Sequence, residues 1–565
     1  MMKKVLLGTL FATSSAAVVR GPSNAQCMGS PCSPSNQACG KAFENAPAFH
    51  LMDQRGCGEN DPNGPVFDPV HGVIHHFFQD HLAADPGVGA IYGHFVSKDF
   101  VHWAQLPVAI WNGLDTSVSP PRVTKYDNQA IYTGSAFVVD GAGPGGKGPG
   151  VVNLYPGLCN KKDWPGCDTG TVFAQAVPAD YANDELLTNW TKPSYNPVME
   201  NTQRDPSSPW KTASGEWRFR SYDSKVYGAA SDADVVAGKW YLIGQNPDFR
   251  TCECPSFYPL PAATPGFEAA YQQAAVQGAL PTHVHKTSCG GDWWQLGTYE
   301  EGAPKTLGHF HSTPGWEDVF VQKRIDTDSF YASKDNEYPA KNGEKRRINW
   351  GWAMVPPGSA QSLPRVITFN AAARCLEQAP IEELESLRGP AAFSQTGVKL
   401  AAGLPMYLNL ALGLAKQSEF VATIELPMEP ASIRVSIGVS NCTIDYAPSA
   451  NSAAAFYEVP VTCASNTQNF TQSLRLLASE KTLEIRIFID WTFMEAFFQK
   501  GRATLTFHGA LDDLTGISVA SSAAATVQSM SVYPMKSIWT SPEEVRKMPR
   551  VYPSPHQGST IEVFA

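Results

Sequence analysis

Polar and apolar positions alternate in short bursts along most of the chain. From about Phe49 to Phe369, runs such as VIHHFFQ (73–79), AIYTGSAFVVDG (130–141), EWRFRSYDS (216–224) and WWQLGTYE (293–300) are rich in aromatic and β-branched residues. Clusters of Gly, Pro and Asp separate them. Period-two runs bounded by turn residues predict short strands. No strict sequence repeat emerges, but the rhythm suits four-stranded blades arranged as a propeller. The rhythm breaks at CLEQAPIEELESLRG (375–389), where Pro380, the acidic Glu382, Glu383 and Glu385, and a closing Arg388-Gly389 predict a linker helix over 376–389. Alternation then resumes in EFVATIEL (419–426), TLEIRIFID (482–490), MEAFFQ (494–499) and RATLTFH (502–508), which predicts a second all-β unit, most simply a sandwich. The last residues, 540–565, are rich in Pro and polar groups and read as an extended or loosely docked tail.

Composition sharpens this picture. At 565 residues the chain is too long for one ordinary core. Charged residues make up only 17%, against 46 Gly and 44 Pro, which favours many short strands joined by turns. A net charge of −10 with no Lys/Arg run gives a nucleic acid nothing to grip. The first residues carry Lys3 and Lys4, an apolar stretch from Val5 to about Val19, and small residues at Ser23 and Ala25, the marks of a cleaved signal peptide over 1–25. That stretch is short for a membrane span, and no later segment approaches the roughly 20 apolar residues a span needs. The expectation is therefore a secreted protein, extracellular or delivered to a vacuole or cell wall.

Twelve cysteines in an exported chain read as disulfides. Their spacing points to local staples among Cys27, Cys32, Cys39 and Cys57, and at Cys159 with Cys167 and Cys442 with Cys463. A zinc site at TCECP (251–255) would need a second close ligand pair, which is missing, so no metal is expected. Tripeptides at Asn189, Asn441 and Asn469 fit N-glycosylation on surface loops.

The chemistry centres on three carboxylates. Asp61 opens Asp-Pro-Asn-Gly, a turn sequence in its own right. Asp205 stands in QRDPSSPW (203–210) and Glu253 in TCECPSF (251–257), each at a strand edge near aromatic residues that suit a sugar site. Taken together, NDPNG (60–64), RDP (204–206) and EC (253–254) resemble, in order, the signature motifs of glycoside hydrolase family 32, the invertase, inulinase, levanase and fructosyltransferase family. The resemblance extends through YGHFVSKDFVHW (92–103), YTGSA (132–136), FYASK (330–334), INWGWA (348–353), the linker QAPIEELESLR (378–388) and FIDWTFMEAFFQKG (488–501).

What the resemblance implies is an all-β chain: a five-bladed β-propeller (49–375) after a Cys-rich segment (26–48), then a linker (376–389), a β-sandwich (390–539) and the tail. It further implies a retaining β-fructofuranosidase acting on sucrose or a fructan without any cofactor. Asp61 would be the nucleophile, Glu253 the acid/base, and Asp205 the stabiliser of fructose hydroxyls and of developing positive charge. Arg204 would orient the neighbouring carboxylate, and Asn60, Gln79 and Ser135 would line the fructosyl subsite. Two rival readings are fructosyl transfer from sucrose and a catalytically inactive sugar-binding frame; survival of all three acids argues against the second.

Three positions depart from the family pattern. Gly58 and Glu59 replace its usual Trp and Met, which would make the rim beside Asp61 more polar, and Glu300 stands where a shorter Asp is common and would reach toward a donor glucose. In the second unit, Asp490 and Glu495 lie five residues apart, on opposite faces of a regular strand unless a turn intervenes, and read as structural. Monomer and homodimer remain open.

Overall fold

The computed structural model describes residues 26–27, 46–55, 58–83, 89–312, 323–356, 358–448 and 455–553. The proposed signal segment and the staples of Cys32, Cys39 and Cys57 lie outside the described residues, and of Cys27 only the backbone is described.

Five antiparallel sheets follow one another along the chain, each a blade of a propeller. From the axis outward, the first runs Glu59–Pro62, Val73–Asp80, Ile91–Ser97, Ala104–Ile110, and the second begins with Ser135–Asp140 and Pro149–Leu158. The third starts at Trp210–Lys211, the fourth at Glu253–Pro259, and the fifth at Phe330–Pro339. Blade strands pack against sheets on both sides, and this explains a sequence that is less cleanly alternating than a solvated sheet requires. Val73–Asp80 is buried at all eight positions, with His75, Phe77 and Gln79 on one face and Ile74, His76 and Phe78 on the other.

Long polar side chains of the fifth blade tie the inner strands together across the axis. Asn336 Nδ2 donates to the carbonyls of Pro65 (2.9 Å) and Ala136 (3.0 Å), and Lys334 Nζ donates to the carbonyl of Pro206 (2.8 Å). The approach is closest at Gly64, whose φ is +104°. A Cβ there would lie 2.3 Å from the Ala136 backbone nitrogen, so only glycine lets the first and second blades meet.

Two six-stranded sheets form the following unit, a β-sandwich over a core that includes Phe420, Ile433, Ile444, Leu474, Ile485, Leu505 and Val519. Thr482–Asp490 shows how one strand serves two neighbours. Leu483, Ile485, Ile487 and Ile489 enter the sandwich core, while Phe488 packs with Phe49, Trp103 and Trp350 of the propeller side.

Two expectations are corrected here. The predicted linker helix over 376–389 is instead the outer strand of the fifth blade, Cys375–Pro380, followed by a 3-10 helix, Glu382–Leu387. Pro380 is tolerated because it ends an edge strand, where no ladder donor is needed. The tail is not loose between 541 and 553. Pro542–Lys547 forms a helix capped by Ser541, and Val545 and Tyr552 are fully buried. Lys98 Nζ donates to the carbonyls of Arg546 and Met548, and Arg550 to those of Pro69 and Val70.

Asp490 and Glu495 turn out to share one face. A turn at Trp491 and Thr492 makes the segment a hairpin in which Glu495 lies opposite Phe488. Asp490 accepts hydrogen bonds from the backbone N–H groups of Ala48 (2.7 Å), Phe49 (2.8 Å) and His50 (3.1 Å) and from the His50 ring (2.8 Å). Glu495 accepts from the Leu363 N–H and pairs with Arg365, which also pairs with Asp326. The two acids thus fasten the sandwich to the propeller.

Candidate active site

The inner ends of the first, third and fourth blades bring Asp61, Asp205 and Glu253 together. Asp61 sits on the innermost strand of the first blade, where the register shifts between Glu59 and Pro62. Asp205 lies in the approach to the third blade with φ +60°, and Cys254, next to Glu253, has φ +44°. Left-handed backbone at two non-glycine residues aims adjacent side chains where an ordinary strand would not.

The three acids are linked through Cys254. Its thiol donates to Asp61 Oδ2 (3.4 Å) and its backbone N–H to Asp205 Oδ2 (3.2 Å), while its neighbour Glu253 presents a carboxylate that is 35% exposed. Asp61 Oδ2 also accepts from the Thr133 hydroxyl and from Gln79 Nε2 (3.4 Å), and Gln79 in turn donates to Thr133 Oγ1 (2.6 Å). Glu253 is gripped from two sides: Arg204 Nη2 pairs with Oε1, and the Tyr331 hydroxyl donates to Oε2 at 2.7 Å. Arg204 Nε stands 3.7 Å from Asp205 Oδ2, so one guanidinium addresses two of the acids.

The environments of the acids differ. Burial raises Asp61 above the usual aspartate range, opposed by the bonds from Thr133 and Cys254. Burial pushes Asp205 up to about 7, with Arg204 pulling down and the Asp61 charge pushing up. Burial also raises the Cys254 thiol well above its ordinary value, which keeps it a neutral donor to Asp61. A hydroxyl, a thiol and an amide therefore serve one carboxylate, and a guanidinium and a phenol serve another.

The remaining expected residues take different places. Asn60 is half-buried beside Asp61, its carbonyl accepting from Gln361. Ser135 is fully buried: its hydroxyl donates to the Pro206 carbonyl (2.8 Å) and receives Lys334, so it braces the floor and does not line the opening. Glu59 does not make the rim polar. It is 1% exposed and turned inward, accepting from the Asp53 N–H (2.6 Å) and Gln361 Nε2 (3.1 Å), and burial raises its carboxyl well above the usual range.

Glu300 is also displaced from the expected role. Glu253 pairs with Ser288, Ser288 with Asp292, and Glu300 is the exposed far end of the strand Asp292–Glu300, roughly 27 Å along it. The acid at the near end is Asp292, buried and paired with Lys286 Nζ at 3.0 Å. Thr133, Cys254, Lys286, Asp292, Tyr331 and Lys334 were not singled out from sequence. Four of them carried a signal: Cys254 as the neighbour of Glu253, Thr133 inside YTGSA, and Tyr331 and Lys334 inside FYASK. Among the described residues no group of three or more His, Cys, Asp and Glu side chains is placed to hold a metal ion.

A five-bladed propeller with paired carboxylates at its axis and a sandwich at its side defines a class of sugar-cleaving enzymes. The chain belongs to glycoside hydrolase family 32. The profile of the Glycosyl hydrolases family 32 N-terminal domain matches residues 50–380, and that of the family 32 C-terminal domain matches residues 383–534. Among curated proteins it is 28% identical over 535 residues to acid beta-fructofuranosidase 2, vacuolar, from a Rosa hybrid cultivar, covering 81% of this chain and 75% of that one. It is 28% identical to fructan 6-exohydrolase from Triticum aestivum over 73% of this chain and 69% of that one. Fructan 1-exohydrolase IIa from Cichorium intybus shares the fold at a TM-score of 0.65 and 21% identity, over 87% of this chain and 98% of that one. The protein is thus a glycoside hydrolase.

Proposed function

We propose that this enzyme is a secreted β-fructofuranosidase that hydrolyses terminal β-D-fructofuranosides, with sucrose the preferred substrate, by a retaining mechanism. The observation that carries the reading is the unequal support of the two carboxylates. Asp61 is held by three neutral donors, whereas Glu253 is partly exposed between the Arg204 guanidinium and the Tyr331 hydroxyl. The relatives named beta-fructofuranosidase and fructan exohydrolase support the same substrate class.

In this mechanism Asp61 attacks the anomeric carbon while Glu253 gives its proton to the leaving oxygen, so the glycosidic bond breaks as the Asp61–fructosyl bond forms. Water, deprotonated by Glu253, then releases fructose and restores both groups. Asp205 holds fructose hydroxyls, with Arg204 bridging it to Glu253. No step calls for a cofactor. A relative named as vacuolar supports delivery through the secretory route.

Transfer of the fructosyl group to a second sugar shares the same intermediate. Product analysis at low and high sucrose separates the two: equal glucose and fructose at both concentrations is expected. A persistent glucose excess with accumulating trisaccharide would mean transfer, and no release of either sugar would refute fructosidase activity altogether.

A further inference from the structure

The geometry points to the disulfide Cys252–Cys289 as a positioning device for Glu253: it fixes the strand end that carries the proposed acid/base. This inference rests on the fructosidase reading above. Glu253 is the first residue of its strand and pairs with Ser288. Immediately beyond it the register slips, and the ladder resumes only at Ser256 opposite Lys286. At the slip, Cys254 takes a left-handed φ of +44°. Glu253 is therefore a single paired residue at the free end of a strand, separated from the continuous ladder by a bulge, a place where an inner strand frays.

The disulfide closes that end. It joins the residue before Glu253 to the residue after Ser288, spanning the hairpin one position outside the last pair. Both half-cystines are half-buried, so the bond contributes little to any core. Its other contacts lead to the partners of Glu253. The Cys252 N–H donates to the Tyr222 carbonyl (3.1 Å), the Tyr222 N–H donates to the Arg204 carbonyl (3.0 Å), and the Arg204 guanidinium lies 4.7 Å from the Tyr222 ring centroid. On the other strand, the Ser288 carbonyl accepts from the same Tyr331 hydroxyl that holds Glu253 Oε2. The bond thus ties together the two backbone points against which Arg204 and Tyr331 are registered. Without it, the Glu253 carboxyl loses its fixed distance to the leaving-group oxygen while Asp61, on another blade, stays in place.

The test is a double variant, Cys252→Ala/Cys289→Ala, assayed by kcat/KM on sucrose and on para-nitrophenyl β-D-fructofuranoside. Up to formation of the fructosyl-enzyme, the aryl substrate needs no proton from Glu253, because its leaving group departs as a stable anion. The expected result is a fall of about tenfold to a hundredfold on sucrose with a change of less than about threefold on the aryl fructoside. Removal of the distant sandwich disulfide by Cys442→Ala/Cys463→Ala is expected to lower the melting temperature and leave both kcat/KM values unchanged. Equal losses on the two substrates, or none on either, would overturn the inference. If the double variant is not recovered folded, the native enzyme is reduced with a phosphine, alkylated and mapped by mass spectrometry. Full sucrose turnover with Cys252 and Cys289 alkylated overturns the inference, and selective loss on sucrose supports it. A native enzyme that cleaves neither fructoside would overturn the activity reading itself, whereas an active native enzyme with an unchanged variant overturns only this inference.

Discussion

At the scale of single residues, the site works by giving chemically similar carboxylates different surroundings. Tyr331 is the clearest handle on Glu253, because its hydroxyl is one of two side-chain groups on that carboxylate and lies outside the three signature motifs. Tyr331→Phe keeps the ring and removes one charge-assisted hydrogen bond, so kcat on sucrose should fall roughly tenfold, from a loss of about 1.5 kcal/mol. Steady-state kinetics would check this, and an unchanged kcat would show that Arg204 alone places the acid. Asp205 offers a stability test with a definite sign. Its folded-state value of about 7 lies above the ordinary 3.8, so the folded state holds a proton that the unfolded chain has lost between those limits. Its contribution is therefore most favourable below pH 4 and is lost as pH rises through 7. Asp205→Asn removes the cost of a buried charge. The variant's melting temperature, compared with wild type, should rise as pH goes from 5 to 8, by an amount corresponding to up to about 3 kcal/mol, while activity is lost. A gap independent of pH would contradict that assignment.

At the scale of strands and turns, the alternation read from sequence marks where strands exist, but not how many sheets each one touches. Asp61, Asp205 and Glu253 were legible because they stand in fixed words, NDPNG, RDP and EC. Thr133 and Lys334 also stand in quoted words, YTGSA and FYASK, but their roles were not legible, because those roles arise only when the inner ends of different blades converge. Glu59 and Glu300 were misread for the same reason: position in a motif does not show which way a side chain turns, or how far along a strand it lies. Asp490 and Glu495 depended on whether a turn intervened, and Trp491 and Thr492 supply it. The linker failed as a helix because Pro380 and its acidic followers look alike at the end of a strand and at the start of a helix. Gly64 belongs to this scale too. Its positive φ and the 2.3 Å approach to the second blade mean that Gly64→Ala must push two inner strands apart. We expect a loss of about 2–4 kcal/mol in chemical denaturation and a lower kcat, since Asp61 is three residues away. Wild-type stability in that variant would show that the blades do not meet as described.

Across the whole molecule, the sandwich is fixed to the propeller by buried charge as well as by aromatic packing. Asp490 alone satisfies three backbone N–H groups at the entry to the first blade, and Arg365 joins Asp326 and Glu495 between the two units. Removing one member of such a network strands its partners without water. Asp490→Ala should therefore cost about 3–5 kcal/mol and lower the melting temperature of the whole molecule, not of the sandwich alone. Calorimetry would check this, and an unchanged propeller transition would mean the units are energetically separate.

The proposed division of labour between Asp61 and Glu253 is tested most directly by the stereochemistry of transfer to a simple alcohol. Sucrose is incubated with the enzyme in dilute methanol and the products are resolved by NMR, with Asp61→Ala run in parallel. A covalent fructosyl-enzyme on Asp61 requires methyl β-D-fructofuranoside from the wild type, and no methyl fructoside from a variant that remains folded. Formation of the α-anomer, or near-normal turnover by Asp61→Ala, would contradict it.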